Sequence, residues 1–261
     1  MSFSIELDGI GKSFGEKRIL DGLSLRVEPG TILGYLGANG AGKTTTVHIL
    51  TGLISDFEGE ARVAGHDVRT DWSAARAQFG LVPENAVVYE GLSAHEFLYV
   101  IGQLRQLDEG LVEARSRDLL EMFEVADRMH DRLGNFSKGM RQKVMIAAAL
   151  LHDPAVIFLD EPLSGLDVDS TARVKDLLRA LADCGKTVFY CSHVMDVVER
   201  VCDRIVILDQ GTLGAEGTFE ELAAREGDRS LEDLFRRLTR SESSTQQVQE
   251  VVERLISGAK E

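Results

Sequence analysis

The residues best suited to chemistry are the run Gly37-Ala38-Asn39-Gly40-Ala41-Gly42-Lys43-Thr44-Thr45. It fits G-x-x-x-x-G-K-[ST], a phosphate-binding loop. Glycines let the backbone curl until successive N–H groups converge on one anion, and the start of a following helix adds partial positive charge. Lys43 is expected to reach the β- and γ-phosphates of a nucleotide, and the Thr44 hydroxyl to hold Mg²⁺. Gly37, Asn39, Gly40, Ala41, Gly42 and Thr45 complete the nucleotide-binding loop. A pair of acids, Asp160-Glu161, follows the apolar run 155–159 far downstream. Asp160 at a strand end is placed to hold Mg²⁺ through water, and Glu161, pointing differently, to polarise an attacking water. Phe14, in the segment Lys12-Ser13-Phe14-Gly15, is an aromatic ring that can stack on a nucleotide base.

The elements that must position these residues are legible in outline. Residues 31–36 read as a buried strand entering the loop, and 45–50 as the helix leaving it. Residues 4–7 and 23–27 alternate apolar and polar as half-buried strands do, with 12–15 as a turn between them. Further strands are expected at 59–65 and 79–82, the latter stopped by Pro83-Glu84-Asn85. Ser93-Ala94-His95-Glu96 is a capping box opening a helix to about residue 105. A second helix covers 111–125. The following segments read as a helix over 141–151, a strand over 155–159 buried on both faces, a helix over 170–184 and a strand over 187–191 ending in Ser192-His193. A helix near 194–201 and a strand over 205–208 complete the alternation. Together these predict an α/β fold with a mainly parallel central sheet, an N-terminal antiparallel β subdomain and a helical subdomain over about 86–150.

Beyond residue 217 the pattern changes. Thr218-Phe219-Glu220-Glu221 caps a short helix, and Leu231, Leu234, Phe235 and Leu238 lie on one helical face. Val248, Val251, Val252, Leu255 and Ile256 repeat that spacing after a polar spacer, and this last helix is the better candidate for a subunit contact. Residues 1–217 are thus expected to form the nucleotide-binding domain and 218–261 a helical extension.

Length and composition bound the function. The chain has 261 residues and a net charge of −14, which argues against a nucleic-acid binder resting on a broad basic face. Cys184, Cys191 and Cys202 lack metal-ligand spacing and read as reduced thiols. No apolar run approaches the roughly 18–20 residues that span a bilayer, and residues 1–8 lack the basic and apolar regions of a signal peptide. A cytoplasmic protein reaching a membrane through a partner fits these features.

A phosphate loop alone is shared by kinases, GTPases, motors and transport ATPases. With the other segments in order, the sequence resembles the ATP-binding subunit of ABC transporters over nearly its whole length. Phe136-Ser137-Lys138-Gly139-Met140-Arg141-Gln142 is similar to the family's signature segment, Ser164-Gly165-Leu166-Asp167 to its D-loop, and Phe14 to its adenine-stacking aromatic. The resemblance implies that Glu161 is the general base, that His193 is a switch residue sensing the γ-phosphate, and that Glu84 stands at the Q-loop position near the metal. It implies ATP and Mg²⁺ as cofactors, and two ATP molecules sandwiched in a homodimer or heterodimer, the loop of one subunit facing Ser137 and Gly139 of the other. A transmembrane permease is the implied partner, with the chain peripheral on the cytoplasmic face of the cell membrane and 84–92 as the contact. The sequence departs from the family in four places: Lys138 replaces a glycine and Met140 a glutamine in the signature, Glu84 stands where glutamine is usual, and Ala38, a minor departure, stands where proline is common. The signature and Glu84 variations, and the segment 230–239, are similar to those of ABC-2 type drug and antibiotic exporters. A soluble ABC ATPase serving another macromolecular machine and a regulatory ATP-binding module are the rival readings.

Overall fold

The computed structural model describes residues 3–85, 87–226 and 230–239. The stripe from Val248 to Ile256 lies outside them. The described residues build two sheets. The first is antiparallel, in the order β2 (Lys17–Val27), β1 (Ile5–Phe14), β4 (Glu58–Val63) and β5 (His66–Asp67). The second runs β10 (Thr212–Gly217), β9 (Arg204–Asp209), β3 (Ile32–Gly37), β8 (Thr187–Cys191), β7 (Val156–Asp160) and β6 (Phe79–Val82). All of its neighbours are parallel except the β9–β10 hairpin.

Side chains alternate across a strand, and the second sheet uses that alternation to divide the molecule into two cores. Ile32, Leu36, Ile157, Leu159, Val188, Ile205 and Ile207 face one side. There they meet α3 (Ala94–Leu104), α4 (Glu109–Met122), α5 (Lys138–Leu150), α6 (Val168–Asp183), α7 (Met195–Val201) and α9 (Leu231–Leu238). Leu33, Tyr35, Val156, Phe158, Phe189, Val206 and Leu208 face the other side, against α1 (Lys43–Leu50) and the first sheet. Strands covered on both faces read as unbroken apolar runs, which is why β7 and β8 are plain in the sequence.

Three differences from the sequence reading have physical causes. Residues 12–14 are not a turn but the end of β1, paired as far as Phe14 with Lys17. Register shifts between Leu7 and Ser13 break the alternation that would have revealed a ten-residue strand. The helix expected from residue 141 starts at Lys138, capped by Ser137 Oγ, which accepts the Met140 N–H at 3.2 Å. β9 falls where a strand is expected over 205–208, but the β9–β10 hairpin is not among the expected elements. Its two-residue turn uses left-handed conformations at Gln210 (φ 45°) and Gly211 (φ 83°), the pattern that matches strand twist. The short α2 (Trp72–Ala77) was also unforeseen, whereas α8 (Phe219–Glu226) falls where the Thr218 cap predicts it.

Candidate functional site

The phosphate loop connects β3 to α1, at the carboxyl edge of the parallel sheet, where ligands of such sheets bind. Gly42 precedes α1 at φ 111°, and no side chain caps the helix or places an acid in its first turn. The starts of α3, α4, α5, α6 and α9 each receive a cap from Ser93, Asp108, Ser137, Asp167 or Ser230. α2 and α7 are also uncapped, but only α1 among these three begins on the cleft, with Gly42 to Thr45 lining it, so its free N–H groups and dipole face that space, as an anion site requires. Gly42 cannot be replaced without collision, since a Cβ there would stand 2.6 Å from Leu20 Cδ2. The hairpin turn braces the same loop: Gly211 N–H donates to Ala41 O at 3.1 Å, and Asp21 N–H to Gly211 O at 3.0 Å. Lys43 curls back so that Nζ donates to the carbonyls of Gly37 at 2.6 Å and Ala38 at 3.3 Å. Thr46, one turn into α1, is buried and exchanges a 3.1 Å hydrogen bond with Tyr35 Oη.

In front of this loop lies a cleft of about 560 Å³. Asn39, Gly40, Gly42, Lys43, Thr44 and Thr45 line one side of it, and Glu84, Asp160, Glu161 and His193 another. Phe14, 53% exposed, closes the rim from the β1–β2 hairpin, with Lys12 Nζ 5.0 Å from its ring centroid. Of the remaining predicted residues, Gly37 and Ala41 belong to the loop but do not line the cleft. Ser137 and Gly139 also lie apart from it, at the start of α5.

The acids differ sharply in environment. Asp160 ends β7 opposite Cys191 of β8 and is buried. Burial, with Glu84 and Glu161 nearby, pushes its carboxyl up to about 6, against the pull of Lys43. A set comprising the Thr44 hydroxyl and mutually repelling carboxylates fits a divalent cation, which would relieve that repulsion. Among the described residues no three His, Cys, Asp or Glu side chains form an all-protein metal centre. Mg²⁺ is characteristically held by one or two protein groups plus substrate phosphates.

Glu161 is held in another way. Its backbone is left-handed, at φ 50°, and its N–H donates to Cys191 O at 2.9 Å. Oε1 accepts from His193 N at 2.8 Å and lies 2.6 Å from His193 Nδ1, while Oε2 accepts from Ser192 Oγ at 3.1 Å. A strained backbone kept in place by several bonds is a mark of functional positions.

Sequence reasoning missed four contributors. Lys17 and Ile19 of β2 line the cleft. Ser192 orients the base candidate, and the buried Gln142 donates Nε2 to Pro162 O at 3.0 Å, tying α5 to the turn after Glu161. Ser192 adjoins the predicted His193 and was visible as a neighbour; the partner of Gln142 could not be read from spacing.

Comparison with known proteins agrees with this geometry. The family described as "ABC transporter" matches residues 20–164. The chain is 40% identical over 233 residues to the daunorubicin resistance ATP-binding protein DrrA3 of Streptomyces coeruleorubidus, covering 89% of this chain and 74% of that one. It is 36% identical to the linearmycin resistance ATP-binding protein LnrL of Bacillus subtilis (strain 168), over 85% and 72% of the two chains. A solved ATP-binding subunit of an ABC transporter superposes with a TM-score of 0.86 at 30% identity, over 91% of this chain and all (100%) of that one. A phosphate loop, Asp160, Glu161 and His193 around one cleft, with these relatives, leave one assignment: the chain belongs to the ATP-binding subunits of the ABC transporters.

Proposed function

We propose that this chain binds and hydrolyses ATP to energise a separate membrane permease for export, working as a pair of ATPase subunits. The observation that carries the reading is the convergence of Lys43, Thr44, Asp160, Glu161 and His193 on one cleft, with Ser137 and Gly139 outside it. That separation is what a site completed by a second subunit requires. The relatives named for drug resistance, and a Nod factor export ATP-binding protein of Paraburkholderia xenovorans at 36% identity, support the direction of transport.

In this reading the start of α1 and Lys43 hold the β- and γ-phosphates, and Phe14 stacks on the base. Bound Mg²⁺ would supply charge neutralisation to the phosphates, with Thr44, Asp160 and Glu84 as its protein-side groups. Glu161 orients the attacking water and takes its proton, while His193 reports on the γ-phosphate through Glu161. Lys43, freed from the carbonyls of Gly37 and Ala38, has the reach to follow the transferring phosphate.

Residues 1–217 form the ATPase unit and 218–261 an extension. Among the described residues no helix is long and apolar enough to cross a membrane. In this reading the work is delivered by contact with the permease at the cytoplasmic face. Val87 and Tyr89, 87% and 74% exposed, stand just after Glu84 and offer the permease an apolar surface. Co-purification with a multi-span membrane protein, and loss of that partner on Val87→Asp/Tyr89→Asp, tests this; retention of the permease by the double variant would overturn the assignment of the contact. ATP turnover unaffected by the permease would overturn coupling.

A further inference from the structure

The first turns of α5 grip the loop that follows Glu161. Residues 138, 139, 142 and 143 share one side of the helix by their spacing, and each meets the loop 162–167. Lys138 Nζ donates to Ser164 Oγ at 2.7 Å, Gln142 Nε2 to Pro162 O at 3.0 Å, and Lys143 Nζ lies 4.0 Å from Asp167 Oδ2. Between them the backbones abut: a Cβ on Gly139 would stand 2.5 Å from Gly165 O. Gly165 itself is left-handed at φ 80°, and its own Cβ would meet the Lys138 stem at 3.1 Å. The loop in turn continues directly from Glu161, whose carbonyl accepts the Ser164 N–H at 3.1 Å.

Lys138 occupies the signature position where the family usually carries a glycine, which has no side chain to reach the loop. An ammonium has three N–H groups and no lone pair, so Ser164 Oγ is necessarily the acceptor. The serine's own hydrogen is thereby turned away from α5, and the charge polarises it. The bond spans 26 residues of sequence to join the start of α5 to the turn that carries the base candidate.

We propose that Lys138 is a positioning residue for ATP hydrolysis: its bond to Ser164 locks the loop 162–167 to the start of α5, so that the signature and Glu161 move as one body. The proposal rests on the ATPase reading above, in which the start of α5 serves the nucleotide of a second subunit. An anion engaging that helix start then displaces or settles the Glu161 carboxylate through the lock, without any contact between Lys138 and the nucleotide held by its own chain.

The test compares Lys138→Met, Ser164→Ala and the double variant in steady-state ATP hydrolysis by the assembled complex. Loss of one charge-assisted bond is expected to lower kcat by roughly tenfold in each single variant. ATP KM should stay within about twofold, the double variant should be no slower than the slower single one, and Lys138→Arg should recover most of the rate, since it keeps a cationic donor. Unchanged kcat, additive losses, or a raised KM with kcat preserved would each overturn the proposal, the last by pointing to a direct phosphate contact instead. Hydrogen exchange across 162–167, read on the chain alone without nucleotide, should quicken alike in Lys138→Met and Ser164→Ala. Unaltered exchange overturns the lock by itself. If the wild-type complex turned over no ATP, the ATPase reading would fall while the exchange measurement still decided whether the lock exists.

Discussion

Oε1 of Glu161 lies 2.6 Å from Nδ1 of His193 and accepts the backbone N–H of the same residue at 2.8 Å. One carboxylate oxygen thus holds both the ring and the backbone of His193, while the other is held by Ser192. The imidazole is 79% exposed, so its bond to Glu161 can be exchanged for one to a phosphate without disturbing the core. Glu161→Gln keeps the shape and removes the basicity. It should leave ATP affinity within about threefold and lower kcat by roughly 10²–10⁴. Single-turnover hydrolysis and equilibrium ATP binding, measured on one preparation, separate the two effects; a wild-type rate would remove Glu161 from the role of base.

Lys43 should behave in the opposite manner. Its Nζ donates to backbone carbonyls of its own loop at 2.6 and 3.3 Å, so Lys43→Ala deletes a phosphate partner and breaks no direct ion pair, its electrostatic cost being the loss of the cation that favours the charged form of Asp160. Losing a charged hydrogen bond predicts a nucleotide affinity weaker by roughly tenfold to a hundredfold. Titration with a fluorescent ATP analogue checks this, and thermal unfolding without nucleotide should be nearly unaltered.

Asp160 sets a pH dependence. Its folded pKa, raised to about 6 from 3.8, means the folded chain binds more protons than the unfolded chain between those values. Stability from this group therefore falls as pH rises from about 4 to 6, and the penalty is complete above about 6. Asp160→Asn is expected to raise Tm above wild type near neutral pH in metal-free buffer, the gap closing towards about pH 4. The same ionisation governs cation binding: Mg²⁺ affinity of the ATP complex should fall as pH drops below about 6. Calorimetric titrations across pH check it, and a pH-independent Mg²⁺ affinity would exclude Asp160 from the metal site.

The β9–β10 turn offers a stability prediction that also bears on the site. A Cβ on Gly211 would stand 2.2 Å from Ile19 O, in a left-handed conformation that disfavours other residues. Gly211→Ala should cost on the order of 1–3 kcal/mol and weaken nucleotide binding, because Gly211 N–H braces Ala41 O. Chemical denaturation and ATP titration of one protein would show both losses; a lower stability with unaltered affinity would separate the brace from the loop.

What the sequence revealed follows from what each residue partners. β7 and β8, apolar on both faces, and α3, opened by the reciprocal Ser93–Glu96 cap, signal themselves locally. The first half of β2 and all of β10 do not, since their outward residues are polar and their register depends on strands distant in sequence. Of the site, the loop and the pair Asp160-Glu161 are contiguous motifs and were plain, and His193 came from resemblance. The cap from Ser192 to Glu161 and the tie from Gln142 to Pro162 exist because β8 and α5 bring them in from 31 and 20 residues away. Spacing along the chain carries no trace of such contacts.

The bare start of α1 makes the nucleotide part of the fold's own wiring. Six other described helices close their first turn with a side chain of this chain, whereas α1, α2 and α7 do not; of these three, α1 is the one whose first residues line the cleft, so in the proposed function its closure falls to the nucleotide's phosphates. Affinity and local order at residues 43–50 are therefore two readings of one free energy. If the proposed function holds, nucleotide binding and release would tighten and loosen the helix that runs from β3 of one sheet to β4 of the other.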